Sequence, residues 1–218
     1  MIHHHPSGDI LSAYASGALN EGPALVVACH IDGCGQCRRK LGVWNGLGGA
    51  LLEKTAPLAL REGALDQALR AIAETNELAK PAKSPEPPPF LARFDLPERV
   101  RRQSIGSRRW LTPNIWFAPI NAARRSESCT YLVYGRKNTL LPRHTHVNRE
   151  FTAVLSGGYR DTLGAFDAGD FVETDPTILH APGVTDDAEC LCLIDSDGPM
   201  KVEGFVARLV QLYAGRRY

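Results

Sequence analysis

Apolar residues recur at helical spacing through the first third of the chain and in short extended runs through the remainder. Ile10, Leu11, Tyr14, Ala15 and Ala18 predict a helix from Asp9 to Ala18, with Asp9 as its N-cap. Asn20-Glu21-Gly22-Pro23 opens a second helix, Ala24 to His30, rich in Leu25, Val26 and Val27. Asp32-Gly33 reads as a stop and tight turn before a third helix, from Cys34 towards Glu53 through Leu41, Trp44, Leu47 and Leu51. Gly46, Gly48 and Gly49 weaken that helix, which points to close helix packing or to contact with a partner. Leu65 to Leu78 is a fourth, amphipathic segment with Leu65, Leu69, Ile72 and Ala73 on one side. Together with Leu58-Ala59-Leu60 this is more apolar surface than a small bundle needs inside, so it is either internal packing or a face kept for another protein.

Lys80 to Pro89 is proline-rich, and prolines remove backbone donors and fix φ, so this stretch reads as a semi-rigid linker. Beyond it come short β-like runs: Asn114 to Ile120, Thr130 to Tyr134, Phe151 to Leu155, Phe171 to Thr174, Cys190 to Ile194 and Gly204 to Tyr213. Their Gly, Pro and Asp turns predict an antiparallel sandwich or barrel. The expected fold is therefore α + β in two domains: a small helical bundle over residues 1–80, a linker over 81–89, and a β-barrel over 90–218.

A net charge of +1 over 218 residues gives no global field for nucleic acid or an anionic membrane. Eight arginines between Arg93 and Arg125, the last two being Arg124 and Arg125, read as a solvated face. No apolar run reaches membrane-spanning length and no signal-peptide pattern is present, so the expected location is cytoplasmic. Cysteines there stay reduced, which favours metal ligation over disulfides.

His30, Cys34 and Cys37 stand at His-x3-Cys-x2-Cys spacing, a zinc pattern. Cys34 opens a helix and Cys37 follows one turn along, so both thiols and the imidazole can converge, and the helix N-terminus favours thiolate. A tetrahedral ion needs a fourth donor. His3, His4 and His5 are available, His5 being nearest the first helix, and Cys29 is a further possible donor. The plain alternative is a pair of buried structural cysteines beside an ordinary histidine.

His144 and His146, at i and i+2, point to one side of a strand, and Glu150 keeps that parity if the strand is regular. His180 follows the Gly169-Asp170 turn and Asp175-Pro176. Three imidazoles and a carboxylate suit zinc, iron, manganese or nickel. Cys190 and Cys192 are strand neighbours about 6.6 Å apart at Cα, near the limit for a disulfide, and read as small core residues.

His-x-His-x3-Glu-x6-Gly from His144 and Gly-Asp-x5-Pro-x3-His from Gly169 resemble the two cupin motifs. The leading glycine, Gly135, is further from His144 than the pattern has it, and the second motif's glycine and late asparagine are absent, with Ile178 and Val184 nearby instead. Taken with the helical His-x3-Cys-x2-Cys region and the linker, the chain resembles the ChrR family of zinc-binding anti-sigma factors. Leu11-Ser-Ala-Tyr14-Ala-Ser-Gly17, Gly48-Gly49, Leu51 to Pro57 and Glu189 to Leu193 share in the resemblance.

The resemblance implies that His5, His30, Cys34 and Cys37 hold zinc. It also implies that the helices sequester an extracytoplasmic-function (ECF, group IV) sigma factor. A cupin site of His144, His146, Glu150 and His180, with zinc or another divalent transition metal, is implied to sense singlet oxygen or organic hydroperoxide, and no catalytic role is implied. Two competing readings follow from the residues: a metal-dependent cupin enzyme of dioxygenase type with a regulatory zinc domain, and a zinc-finger DNA binder. The second lacks a basic helix, since residues 1–80 hold seven Lys and Arg against eight Asp and Glu.

Overall fold

The computed structural model describes residues 2–74, 85–120 and 128–203. The predicted strand from Gly204 to Tyr213, the fourth helix beyond residue 74, Arg124, Arg125 and the linker up to residue 84 lie outside the described residues. Helix α1 is Gly8–Ala15, α2 Glu21–Gly33, α3 Gly35–Glu53, α4 Ala64–Glu74, and a short α5, Glu98–Arg101, precedes the strands. Ser7, not Asp9, caps α1: its hydroxyl accepts from the Ile10 N–H at 3.3 Å, and Asp9 falls in the first turn, where its charge favours the helix dipole. Helix α2 continues through Asp32 to Gly33 rather than stopping at His30, because Cys34 ends α2 and begins α3.

The strands are β1 Arg109–Thr112, β2 Ile115–Pro119, β3 Cys129–Gly135, β4 His144–His146, β5 Glu150–Ser156 and β6 Gly158–Asp161. They continue as β7 Gly164–Asp167, β8 Phe171–Thr174, β9 Gly183–Val184, β10 Cys190–Ser196 and β11 Met200–Val202. All pairings are antiparallel: six strands in the order β1-β2-β3-β10-β5-β8, three in the order β7-β6-β9, and the pair β11-β4.

The inner strands of the large sheet are buried on both faces, while its edge strand β1 is exposed. Phe151, Ala153, Leu191 and Leu193 join Leu25, Val26, Val27 and Ile31 of α2 in one apolar cluster, while Val154, Cys190 and Cys192 turn inward with Tyr159, Phe166, Val172 and Val184. That double burial is why β5 and β10 read as continuous apolar runs rather than as alternating strands. Helix α2 lies on β5, β10 and β3, with α1, α3 and α5 around it. Gly22 allows the approach, since a Cβ there would run into the Asp195 carboxylate and the Thr130 hydroxyl.

Outward from this layer burial falls away, Tyr14 of α1 and Leu41 of α3 being only partly buried against the core. Cys37 is the only fully buried residue of α3 and none of α4 is buried. Leu193 is the opposite case, fully enclosed between helices and sheet. Leu193→Ala is expected to cost about 2–5 kcal/mol, read as a lower urea midpoint of the full chain with near-ultraviolet and far-ultraviolet signals shifting together.

Candidate metal centres

Four side chains from three separate stretches meet at the junction of α2 and α3. His5 Nδ1, His30 Nε2, Cys34 Sγ and Cys37 Sγ all lie within 4.8 Å of one another. Cys34 is placed by its non-helical backbone as the N-cap of α3, its sulfur accepting from the Cys37 N–H at 3.4 Å. His30 sits in the last turn of α2, and its Nδ1 donates to the Gly169 carbonyl at 2.8 Å, which leaves Nε2 free to face the group. The spacings are 3.4 Å for His5 to His30, 3.3 Å for His30 to Cys37, and 3.4 and 3.5 Å from His5 to the two sulfurs. Tetrahedral zinc with ordinary bond lengths would place nitrogens about 3.3 Å apart and nitrogen from sulfur about 3.6 Å apart. The donor set fits such an ion in number, chemistry and spacing.

Electrostatics point the same way. Burial pulls His30 below its ordinary value, so it is neutral and able to donate a lone pair. Burial, helped by Cys34, pushes the Cys37 thiol up to about 11, so ionising it at neutral pH requires a cation beside it.

The other N-terminal donors are elsewhere. His3 and His4 are tied by their backbone N–H groups to Asp170, at 2.7 and 3.0 Å, and the His4 ring packs on Phe166. Cys29 is buried in the core with its thiol pushed up to about 12, chiefly by desolvation, and does not join the group.

The second cluster sits inside the barrel. His144, His146 and His180 bring one ring nitrogen each within 4.8 Å of the others. A backbone bridge pairs His144 with His180, and β4 presents His146 on the same side. His144 Nδ1 donates to the Pro142 carbonyl and His180 Nδ1 to the Asp161 carboxylate, each at 2.8 Å, while His146 Nε2 faces His180 Nε2 at 3.3 Å. Desolvation takes His144 and His146 down to about 4, leaving both neutral. Such converging neutral nitrogens suit a divalent transition metal.

Glu150 departs from the expected parity. Residues 147–149 break the extended backbone, so Glu150 begins β5 rather than continuing β4. Its carboxylate lies 3.3 Å from His146 Nδ1 and accepts from the Tyr131 hydroxyl at 3.4 Å, outside the three-nitrogen set. Cys190 and Cys192 face into the barrel with sulfurs 3.6 Å apart, as core thiols. The supporting groups Asp161, Pro142 and Gly169 act through hydrogen bonds to the imidazoles and stand at no ligand-like spacing in the sequence, and only the Gly169-Asp170 motif flagged its turn in advance.

The barrel and its inward histidines define a cupin-like protein, here joined to a helical His/Cys module. A family model described as the ChrR cupin-like domain matches residues 104–200. The anti-sigma-E factor ChrR of Cereibacter sphaeroides is 33% identical over 210 residues, 96% of this chain and 97% of that protein. A crystal structure of Rhodobacter sphaeroides SigE in complex with the anti-sigma ChrR matches with a TM-score of 0.72 and 31% identity, covering 90% of this chain and 100% of that one. The chain belongs to the ChrR family.

Glu150 sets a pH test. Burial holds its carboxyl up to about 8 in the folded barrel, against an ordinary 4.5, so the folded state keeps a proton that the unfolded chain has released. Stability of the metal-free protein therefore falls as pH rises from 6.5 towards 8, with a slope approaching about 1.4 kcal/mol per pH unit. His144 and His146, lowered to about 4, act in the opposite sense, destabilising the fold as pH falls through 6.5, so their residual effect between pH 6.5 and 7.5 is a small gain common to wild type and variant. Urea unfolding at pH 6.5 and 7.5 is expected to show this loss in the wild type and not in Glu150→Gln.

Proposed function

We propose that the chain is an anti-sigma factor whose helical module, residues 1–80, holds an ECF-type sigma factor inactive in the cytoplasm. The barrel, residues 90–218, releases that factor on a signal such as singlet oxygen or an organic hydroperoxide, and residues 81–89 link the two. The observation that carries this reading is the exposed apolar surface of α3, the helix that carries Cys37, and of α4. Val43, Trp44, Leu47, Leu51 and Leu52 on α3 and Leu65, Leu69 and Ile72 on α4 are all exposed, Val43 at 72% and Ile72 at 71%.

Leu65, Leu69 and Ile72 repeat at i, i+4 and i+7, and Trp44, Leu47 and Leu51 at i, i+3 and i+7, the pattern of helices that bury one face. Among the described residues a Cβ at Gly46, Gly48 or Gly49 would meet nothing within 4 Å, so close packing against them does not account for those glycines. A partner helix approaching the α3 backbone does. Each such side chain contributes about 1.5–3 kcal/mol when fully buried, so eight of them can offset the roughly 4–15 kcal/mol cost of association. Proteins named ChrR include an anti-sigma-E factor and one seen in complex with SigE, which supports a sigma factor as the occupant. Seven basic against eight acidic residues in 1–80 favour a protein partner over nucleic acid.

His5, His30, Cys34 and Cys37 would hold zinc, and a bound zinc cross-links the N-terminal arm, α2 and the start of α3. Fixing the first turn of α3 sets the direction in which its apolar face points. His144, His146 and His180 would hold a second divalent metal, zinc or another transition metal, with Glu150 as the carboxylate donor beside His146.

Leu47→Glu places a carboxylate on the exposed face without touching the core. Its binding to a group IV sigma factor is expected to weaken at least a hundredfold in a titration, with the thermal midpoint within about 2 °C of wild type. Cys34→Ser should lose the complex together with bound zinc. Undiminished sigma binding by both variants would contradict the proposal.

A further inference from the structure

The four donors of the helical site are held in two different ways. Cys34 and Cys37 are set by α3 itself, through its N-cap and first turn. Both histidines are held by the barrel, and by the same turn of it. Gly169 accepts the His30 Nδ1–H, which orients that imidazole. Asp170, 1% exposed, accepts the backbone N–H groups of His3 and His4 at one carboxylate oxygen. Its other oxygen accepts the Asp167 N–H at 3.0 Å and lies 3.2 Å from His4 Nδ1. The Phe171 N–H donates to the His4 carbonyl at 3.1 Å, so the arm runs beside the start of β8. Ile2 covers Gly169, where an added Cβ would run into the Ile2 side chain and where a φ of +97° already favours glycine.

We infer that Asp170 is a positioning residue: it clamps the N-terminal arm so that His5 is presented to His30, Cys34 and Cys37, and the Gly169-Asp170 turn lets the barrel govern metal retention in the helical site. The inference rests on reading those four residues as a metal site. The turn is bonded to β5 at both ends, Gly169 N–H to the Val154 carbonyl at 2.8 Å and Val154 N–H to the Asp170 carbonyl at 3.0 Å. Strand β5 begins at Glu150, which opposes Thr174 of β8 in register. A displacement at the barrel histidines thus has a bonded route to the two imidazoles of the helical site and none to its thiols through this turn. Moving the turn would leave the ion on Cys34 and Cys37 alone.

The test uses the full chain loaded with zinc and challenged with excess chromophoric chelator, with thiol-reagent labelling of Cys34 and Cys37 followed in parallel. Asp170→Ala is expected to release the helical-site metal at least tenfold faster, the scale of a lost supporting contact, with thiol labelling accelerating in step. Asp170→Asn keeps an oxygen for the His3 and His4 amides but sets its NH2 against the Asp167 N–H, so it should release metal faster than wild type yet clearly more slowly than Asp170→Ala, a partial rescue that a general loss of packing would not give.

Wild-type release kinetics in the Ala variant, or equal acceleration in both variants, would overturn the inference. Should Asp170→Ala not fold, hydrogen exchange in the loaded wild type decides. Slow exchange at the His3 and His4 amides supports the clamp, and open-chain rates overturn it. A wild type whose Cys34 and Cys37 label equally fast with and without zinc would overturn the metal-site reading itself. A loaded wild type insensitive to Asp170→Ala would overturn only the clamp.

Discussion

The helical layer depends on four donor atoms being forced into one small volume. His5, His30, Cys34 and Cys37 come from an extended arm, the end of α2 and the start of α3, and their surroundings disfavour charge on His30 and Cys37. Neutral donors so arranged gain little from one another, since thiol and imidazole make weak, long contacts there. A cation turns the same crowding into four bonds. The consequence is largest for α3, a 19-residue helix with Cys37 as its one fully buried residue, which has little packing along its length to fix its direction.

The barrel supplies the opposite kind of stability. Its six-stranded sheet is covered by α2 on one face and by the smaller sheets on the other, so the helical layer rests on a surface that does not need the ion. The molecule is thus graded: a two-sided core at β5 and β10, a helix seated on it, and two helices whose apolar faces are left open. Such grading suits the proposed grip on another chain and its release, because the helices proposed to bind are the ones least committed to their own fold. Release then needs a differential of only a few kcal/mol between bound and free states.

Much of this was legible in the residues. His30, Cys34 and Cys37 could be grouped because helix, cap and helix follow one another directly, and His144 with His146 because a strand fixes side-chain parity. Parity could not place Glu150, because the break at residues 147–149 between β4 and β5 is a tertiary fact with no marker in hydrophobic period. Strands β6, β7, β9 and β11 are two to four residues long and hold glycine, aspartate, arginine or lysine, too short for an alternation to show. The apolar stripes of α3 and α4 looked the same whether destined for the core or for a partner, since amphipathicity records that a face is buried and not by what. Asp170 was visible as part of a turn, but its bonds to His3 and His4 span more than 160 residues and belong to the fold alone.

The most direct measurement of the central claim is zinc-edge X-ray absorption on the full-length protein with both His144 and His180 changed to alanine, so that only the helical site can load. Two sulfur scatterers at about 2.3 Å and two nitrogens at about 2.0–2.1 Å are the expected shell. A shell without sulfur, or a protein that retains no zinc, would contradict it.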